Sequence, residues 1–177
     1  MKKSLIIATA LLGLVACTND EEIYQYTPDP AEKFFGKWQL ISMEGQTEFD
    51  FNGDGELNRD LMIETNCYQD EFMEIFVNYL GKFTSNSYAD IVVFPDFPNS
   101  DPESITCVDD FDEMDFMYAA SGNQITIIDT DSISYMGSYS NDTITFSLPL
   151  GQKYYDANDS IIFQEDLILK YIKIDTP

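Results

Sequence analysis

Residues 112–128 read DEMDFMYAASGNQITII, and they carry the clearest fold signal in the chain. Before the Ser-Gly-Asn tripeptide at 121–123, every second residue is apolar: Met114, Phe116 and Tyr118. After the tripeptide, residues 124–128 are rich in β-branched side chains. Apolar alternation on both sides of a glycine-containing turn is typical of a β-hairpin, so this stretch predicts two antiparallel strands.

The same alternation continues on both sides of that hairpin. Further short apolar segments, separated by turn residues, lie at 36–43, 71–79, 82–94, 133–139, 144–148 and 160–174. The last segment fits one long strand or two short ones, and only residues 57–65 have the pattern of a helical turn or two. The chain therefore predicts an all-β fold, an antiparallel meander of about eight strands forming a barrel or sandwich with little helix.

The amino terminus reads MKKSLIIATALLGLVAC and has the organisation of an export leader. Two lysines precede an apolar run at 5–15 that is too short to span a bilayer. The Leu-Val-Ala-Cys sequence ending at Cys17 resembles the lipobox of bacterial lipoproteins. The resemblance implies that residues 1–16 are removed as a signal peptide and that Cys17 carries covalent lipid with acyl chains such as palmitate. An ordinary secretory signal ending near a cysteine is the alternative.

Three parts follow from this organisation: the signal peptide at 1–16, a flexible tether at 17–33 and one β-barrel domain at 34–177. The acidic run Asn-Asp-Glu-Glu at 19–22 resembles the export signal that takes lipoproteins of Bacteroidota to the outer face of the outer membrane. A simple soluble linker explains the same run. The expected location is the outer membrane, through a lipid anchor, at the cell surface.

Charge and composition exclude several classes of function. The formal net charge is −23, and the chain contains no histidine. Such an acidic surface repels phosphate backbones, so we expect no nucleic-acid partner, and it implies that membrane contact comes from the acyl chains. The lack of histidine removes Ser-His-Asp and Cys-His catalysis and the common zinc sites. We therefore expect a protein that is not an enzyme.

Cysteine usage predicts one disulfide. The chain has three cysteines, and assigning Cys17 to lipid leaves Cys67 and Cys107 as an even pair. An oxidising compartment outside the cytoplasm favours a bond between these two residues. Two buried free thiols are the alternative.

The sequence FFGKW ending at Trp38 opens the first predicted strand. Gly36-x-Trp38 is similar to the G-x-W motif at the start of the first strand in lipocalin-like proteins. The resemblance implies a barrel in which Gly36 lets the strand bend and the indole closes one end beneath a cation from the last strand. The usual arginine is missing, since Arg59 is the only arginine, so Lys170 or Lys173 has to substitute. A buried tryptophan in another β-fold is the alternative.

Residues 50–61 read DFNGDGELNRDL and resemble the calcium-binding loop of an EF-hand. Oxygen ligands stand at positions 1, 3 and 5 with glycine at position 6. The candidate ligands are Asp50, Asn52, Asp54, the backbone carbonyl of Glu56, and Asp60. Leu61 occupies position 12, where an EF-hand has a bidentate glutamate, so Asp60 or Glu64 has to complete the shell. An acidic turn without calcium is the alternative.

These patterns favour a lipid-anchored, lipocalin-like protein that binds a small apolar ligand or a partner protein. The abundant aromatic residues either fill the core or line a cavity, and an interior cavity would favour ligand binding. The alternative is a structural or accessory β-sandwich module of an outer-membrane assembly without a ligand pocket. A carboxylate-based hydrolase is a third possibility, although no spacing among the acidic residues marks a catalytic pair.

Overall fold

The computed structural model describes residues 29–174. The predicted signal peptide, Cys17 and most of the predicted tether lie outside these residues, as do positions 175–177. Within the described part of the chain, no helix has the length and apolar character needed to cross a membrane.

Nine strands make up nearly all of the regular structure, with one short helix and one 3-10 turn. The elements in chain order are the 3-10 turn Glu32–Phe34, β1 Gly36–Phe49, β2 Asn58–Asp60, α1 Leu61–Thr65, β3 Phe72–Ile75, β4 Leu80–Val92, β5 Ser104–Ser121, β6 Gln124–Ile128, β7 Ser134–Ser140, β8 Thr143–Tyr155 and β9 Ile161–Ile174.

Eight of the strands close into an antiparallel barrel. Strand β1 pairs with β3, the chain then meanders from β3 to β9, and β9 pairs back with β1 over residues 37–44. Strand β2 adds to the far end of β1 and is not part of the closed ring. The structure confirms the prediction of an all-β, lipocalin-like antiparallel meander barrel of about eight strands with little helix.

Towards one end of the barrel, the strands change their pairing partners. Irregularities in register interrupt β1, the β4–β5 pair and β8. Beyond them, Val92 of β4 pairs in parallel with Tyr155 of β8. At this end β4 and β8 therefore meet directly, without β5, β6 and β7 lying between them, because bulges bend and twist strands enough to redirect their pairing.

The change in pairing divides the interior into two apolar clusters. We call the first the barrel core; its fully buried members include Phe34, Trp38, Met73, Ile125, Ile127 and Ile144. We call the second the disulfide-end core; its buried members are Phe49, Cys67, Ala89, Ile91, Val93, Phe97 and Tyr154.

Local details differ from the sequence-based expectation in several places, since β5 already begins at Ser104 and β8 extends to Tyr155. The segment 71–79 was expected to remain extended, but β3 ends at Ile75 and the chain turns back before Leu80. Tyr79 has a positive φ of 63°, and the Val77 side chain is 71% exposed. At the carboxyl end, residues 161–174 form the single long strand that the sequence left as one of two options.

Candidate functional site

The closed end of the barrel is organised around Trp38. This side chain is fully buried, and its Nε1 donates a hydrogen bond to the Phe34 carbonyl at 2.7 Å. The Lys173 ammonium lies 5.6 Å from the Trp38 ring centre, whereas Lys170 pairs with Glu44. Of the two lysines that the resemblance left open, Lys173 is thus the cation over the indole.

Gly36 lies beside this contact. Its φ of +115° is one that residues with a side chain rarely adopt, and an added Cβ would lie 3.4 Å from Lys173 Cε. Glycine at this position therefore lets the chain bend sharply where it enters β1, as the G-x-W motif requires.

A cavity of about 240 Å³ lies between the strands, on the side of the barrel core that faces the disulfide end. Its wall is mainly aromatic and aliphatic, with side chains from β4, β7, β8 and β9: Phe83, Tyr135, Phe146, Leu148, Leu169 and Tyr171. The inward faces of several strands thus leave space instead of packing against one another. Because ligand pockets usually measure about 300 Å³ or more, this cavity suits a small or slender apolar molecule.

Polar groups line one part of the cavity. Glu71 is 8% exposed, and its Oε1 accepts hydrogen bonds from the backbone N–H groups of Asn86 at 2.9 Å and Ser87 at 3.2 Å. Burial, together with the charge of Glu71, raises the pKa of the Tyr171 hydroxyl. The cavity therefore has an apolar wall and one acidic corner.

The acidic loop at 50–56 is held by its own side chains. The Asp50 carboxylate accepts a hydrogen bond from the Gly55 N–H at 2.9 Å, Asn52 accepts one from Asp54 at 2.9 Å, and Asp54 accepts one from Glu56 at 2.8 Å. The last two are Asx-turn contacts, and all three hydrogen bonds together hold the first three candidate ligands in one tight loop.

Two further observations bear on a metal at this loop. Asp50 Oδ1 is the one buried side-chain oxygen or nitrogen without a hydrogen-bond partner among residues 29–174. The buried Glu64 carboxylate reaches the start of the loop and accepts a hydrogen bond from the Phe51 N–H at 2.8 Å. An orphaned carboxylate oxygen fits a hard cation, because calcium binds carboxylate, amide and carbonyl oxygens.

Asp60 lies away from the other candidate ligands. Its Oδ1 caps α1 by accepting from the Met62 N–H and also accepts from the Met43 N–H, both at 3.0 Å. In the described part of the chain, no three acidic, cysteine or histidine side chains are close enough to hold a metal ion. A calcium ion at this loop would thus depend on Asp50, Asn52 and Asp54 together with backbone oxygens.

The predicted disulfide is confirmed. Cys67 and Cys107 are joined, with their Cα atoms 5.1 Å apart. Cys67 follows α1 and is buried, whereas Cys107 lies on β5 opposite Ala89 of β4. The bond ties the helical connection after β2 to the long β4–β5 hairpin and lies outside the cavity wall.

Sequence reasoning missed the cavity residues, although the pattern contained a signal for one of them. Glu71, Met73 and Ile75 occupy alternate positions, so the Glu71 carboxylate belongs to the same face of the chain as two residues that are buried in the structure. An acidic residue at an inward position is unusual and indicates either a buried hydrogen bond or a binding site. The other cavity residues could not be separated from ordinary core residues, because both kinds alternate in the same way.

Comparisons with known proteins identify no relative: no family model, no curated protein and no solved structure matches the chain.

Proposed function

We propose that this protein is a lipid-anchored binding protein of the outer membrane, exposed at the cell surface, that holds a small apolar ligand inside a lipocalin-like barrel. The observation that carries the proposal is the cavity of about 240 Å³ in the barrel interior. Burial of a ligand's apolar surface against such a wall contributes about 25 cal/mol per Å² to binding.

The cavity supports binding better than catalysis. Hydrolysis by carboxylates needs two acids on either side of the reacting bond. Of the described residues that line the cavity, Glu71 is the only carboxylate, and the chain has no histidine. The proposal is therefore a binding protein that is not an enzyme.

A fluorescent apolar probe tests the proposal directly. N-phenyl-1-naphthylamine, which brightens in apolar surroundings, should bind the purified protein with saturable fluorescence. Leu169→Trp should abolish this signal, because the larger side chain fills the cavity from the β9 wall. Ile168→Trp is the matched control, because Ile168 is the preceding residue on the same strand and is 40% exposed.

The probe experiment has three informative outcomes. Saturable binding that Leu169→Trp removes and Ile168→Trp retains supports a ligand in the cavity. Binding that survives both changes places the probe elsewhere on the surface. No saturable binding contradicts the proposed function.

The anchor part of the proposal rests on the lipobox-like leader, which lies outside the described residues. Acyl chains contribute about 0.8 kcal/mol per buried CH₂ group, so two or more chains on Cys17 hold the domain firmly on a bilayer. Cys17→Ala should release the protein from the membrane fraction of its own cells. Membrane fractionation that is unchanged by this variant would contradict lipidation as the anchor.

A partner protein is the second candidate, and one surface favours it. Next to the turn between β3 and β4, exposed apolar side chains cluster on the outside of the barrel: Val77, Tyr79, Leu80 and Met117. Leu80 and Met117 lie opposite each other on β4 and β5. Exposed apolar clusters of this kind are typical of contact surfaces, as an accessory subunit of an outer-membrane assembly would need.

A further inference from the structure

Glu71 occupies an unusual position for an acidic side chain. It is more than nine-tenths buried, and it forms part of the wall of an otherwise apolar cavity. Its Oε1 accepts two backbone hydrogen bonds, whereas its Oε2 has no hydrogen-bond donor among the described residues. Among the described residues, Asp50 Oδ1 is the only side-chain oxygen that is both inaccessible to solvent and without a hydrogen-bond partner. Because Glu71 Oε2 also lacks a partner, it must retain some accessible surface.

Glu71 has no cationic partner within the described structure. The four ion pairs formed by residues 29–174 join Lys37 to Glu74, Arg59 to Glu48, Lys82 to Glu113 and Lys170 to Glu44. No lysine or arginine lines the cavity. Since burying a charge without a partner is costly, the carboxylate favours a ligand that supplies a cation.

Tyr171 provides a second polar group at the same corner. Its side chain is buried and lines the cavity, and its hydroxyl makes no hydrogen bond to any other described residue. Both groups line the cavity, and Leu40 of β1 links their backbones, because it pairs with Tyr171 and donates its N–H to the Glu71 carbonyl. Burial, together with the charge of Glu71, raises the pKa of the Tyr171 hydroxyl. A neutral hydroxyl beside a carboxylate offers an acceptor to an N–H donor from a ligand.

From this corner we infer that the ligand of the cavity is an amphiphilic amine, with a protonated amino group at Glu71 Oε2 and Tyr171 and an apolar body against Phe83, Phe146 and Leu169. The inference rests on the proposed function and specifies its ligand class. Hydrogen bonds to charged groups are stronger than neutral ones, and the acidic surface of the protein attracts cations and repels anions.

Headgroup selectivity tests the inference. Octylamine, 1-octanol and octanoate share one alkyl chain and should displace N-phenyl-1-naphthylamine in that order. Octylamine should act at a concentration about tenfold lower than 1-octanol, because a buried charge-assisted hydrogen bond is worth about one order of magnitude in affinity. Octanoate should be the weakest, because its carboxylate would face Glu71.

Glu71→Gln should bring octylamine to the affinity of 1-octanol and leave 1-octanol unchanged. The glutamine Oε1 still accepts the Asn86 and Ser87 hydrogen bonds, so the backbone there keeps its partners. Glu74→Gln is the matched control, because it removes one charge from β3 at a residue that pairs with Lys37 outside the cavity. This control should keep the preference for octylamine.

The outcomes separate this inference from the proposed function. If 1-octanol displaces the probe and octylamine is no better, the amine inference is wrong while the cavity still binds apolar ligands. A preference for octylamine that persists in Glu71→Gln also overturns it. If none of the three compounds displaces a probe that binds in the cavity, the amine inference is wrong, whereas the proposed function fails if the probe itself does not bind there. Should Glu71→Gln not fold, the ranking of the three headgroups on the unmodified protein decides.

Discussion

The barrel core and the disulfide-end core share strands β1 and β8 but are stabilised in different ways. In the barrel core, most strand pairs are regular and antiparallel, and the interior side chains are mostly apolar. In the disulfide-end core, the strands are irregular, a disulfide crosses the structure, and buried carboxylates accept backbone hydrogen bonds.

Glu165 shows why the irregular end needs acidic residues. It is almost fully buried, and its Oε2 accepts hydrogen bonds from the N–H groups of Gln46 and Thr47, both at 2.9 Å. Its Oε1 accepts a hydrogen bond from the Tyr154 hydroxyl at 2.7 Å. Where β1 loses regular pairing, its N–H groups need other acceptors, since an unpaired buried N–H is costly. Carboxylates supply these acceptors, as Glu64 does at the acidic loop.

The two cores thus have different structural roles. The disulfide-end core fixes the bent ends of the strands, and the barrel core leaves a cavity between its strands. Substitutions in each core test this difference.

Trp38→Ala should have the largest effect, because it removes the largest side chain of the barrel core together with its hydrogen bond to Phe34. We expect a loss of about 3 to 5 kcal/mol in the free energy of unfolding. Ile172→Ala is a suitable control, since Ile172 lies on β9 next to the same closure and is 38% exposed. Urea unfolding measures both variants. Equal losses would mean that the closed end of the barrel is not the main source of stability.

Removing the disulfide should cost somewhat less and should act on the other core. The double variant Cys67→Ala and Cys107→Ala should lose about 2 to 4 kcal/mol, because the crosslink restricts a 40-residue loop in the unfolded chain. Hydrogen exchange should speed up first in the disulfide-end core, at 89–93 and 152–155. Uniform acceleration over both cores would show that the two regions unfold as one unit.

Alkaline pH should weaken the disulfide-end core through Tyr154. Burial and the hydrogen bond to Glu165 raise the pKa of this hydroxyl above its unfolded value of about 10. The protonated form is favoured in the folded state, so its contribution is complete below pH 10 and is lost as the pH rises above 10. In Tyr154→Phe, the slope of stability against pH above 10 should become shallower by about 1.4 kcal/mol per pH unit.

Tyr171→Phe tests whether the barrel core behaves in the same way. Burial also raises the pKa of Tyr171, so the sign of the effect is the same. Its hydroxyl has no hydrogen bond to any residue in 29–174, so below pH 9 Tyr171→Phe should cost less stability than Tyr154→Phe, which leaves the Oε1 atom of Glu165 without its donor. Chemical unfolding at a series of pH values measures both quantities. A larger neutral-pH loss in Tyr171→Phe would contradict the contrast between the cores.

The smallest effect is expected from calcium at the acidic loop, which lies against the disulfide-end core. With a dissociation constant of about 10⁻⁴ to 10⁻³ M, 2 mM calcium should stabilise the fold by about 1 kcal/mol. Asp50→Ala should remove this gain, because Asp50 Oδ1 is the orphaned oxygen. Glu56→Ala is the control, because only the backbone carbonyl of Glu56 is a candidate ligand. A melting temperature that calcium does not change would identify the loop as an acidic turn.

The two cores also differ in how far the sequence predicts them. The barrel core follows from local signals, because alternation gives the strands and the G-x-W motif marks the closure, with Lys173 over Trp38. The disulfide followed from cysteine number and compartment. Alternation and the G-x-W motif depend on short spacings, and short spacings are preserved when the chain folds. The disulfide, which spans 40 residues, could be predicted because only one pair of cysteines remained.

The disulfide-end core and the cavity depend on distant contacts that have no local signal. The parallel pairing of Val92 with Tyr155 joins residues 63 positions apart, and nothing in either segment indicates it. Glu165 accepts hydrogen bonds from N–H groups of β1 that lie almost 120 residues away in the sequence. The acidic corner of the cavity likewise arises only when Glu71 and Tyr171 are brought together by closure of β9 on β1.

Hydrogen exchange measured by mass spectrometry, with and without saturating 1-octanol, tests the central claim that the barrel interior is a binding site. We expect slower exchange in the segments of β4, β8 and β9 that line the cavity, at 83–85, 146–148 and 169–171, with exchange in the disulfide-end core unchanged. Unchanged exchange in all three segments, or slowing confined to the exposed apolar residues at 77–80 and Met117, would contradict it.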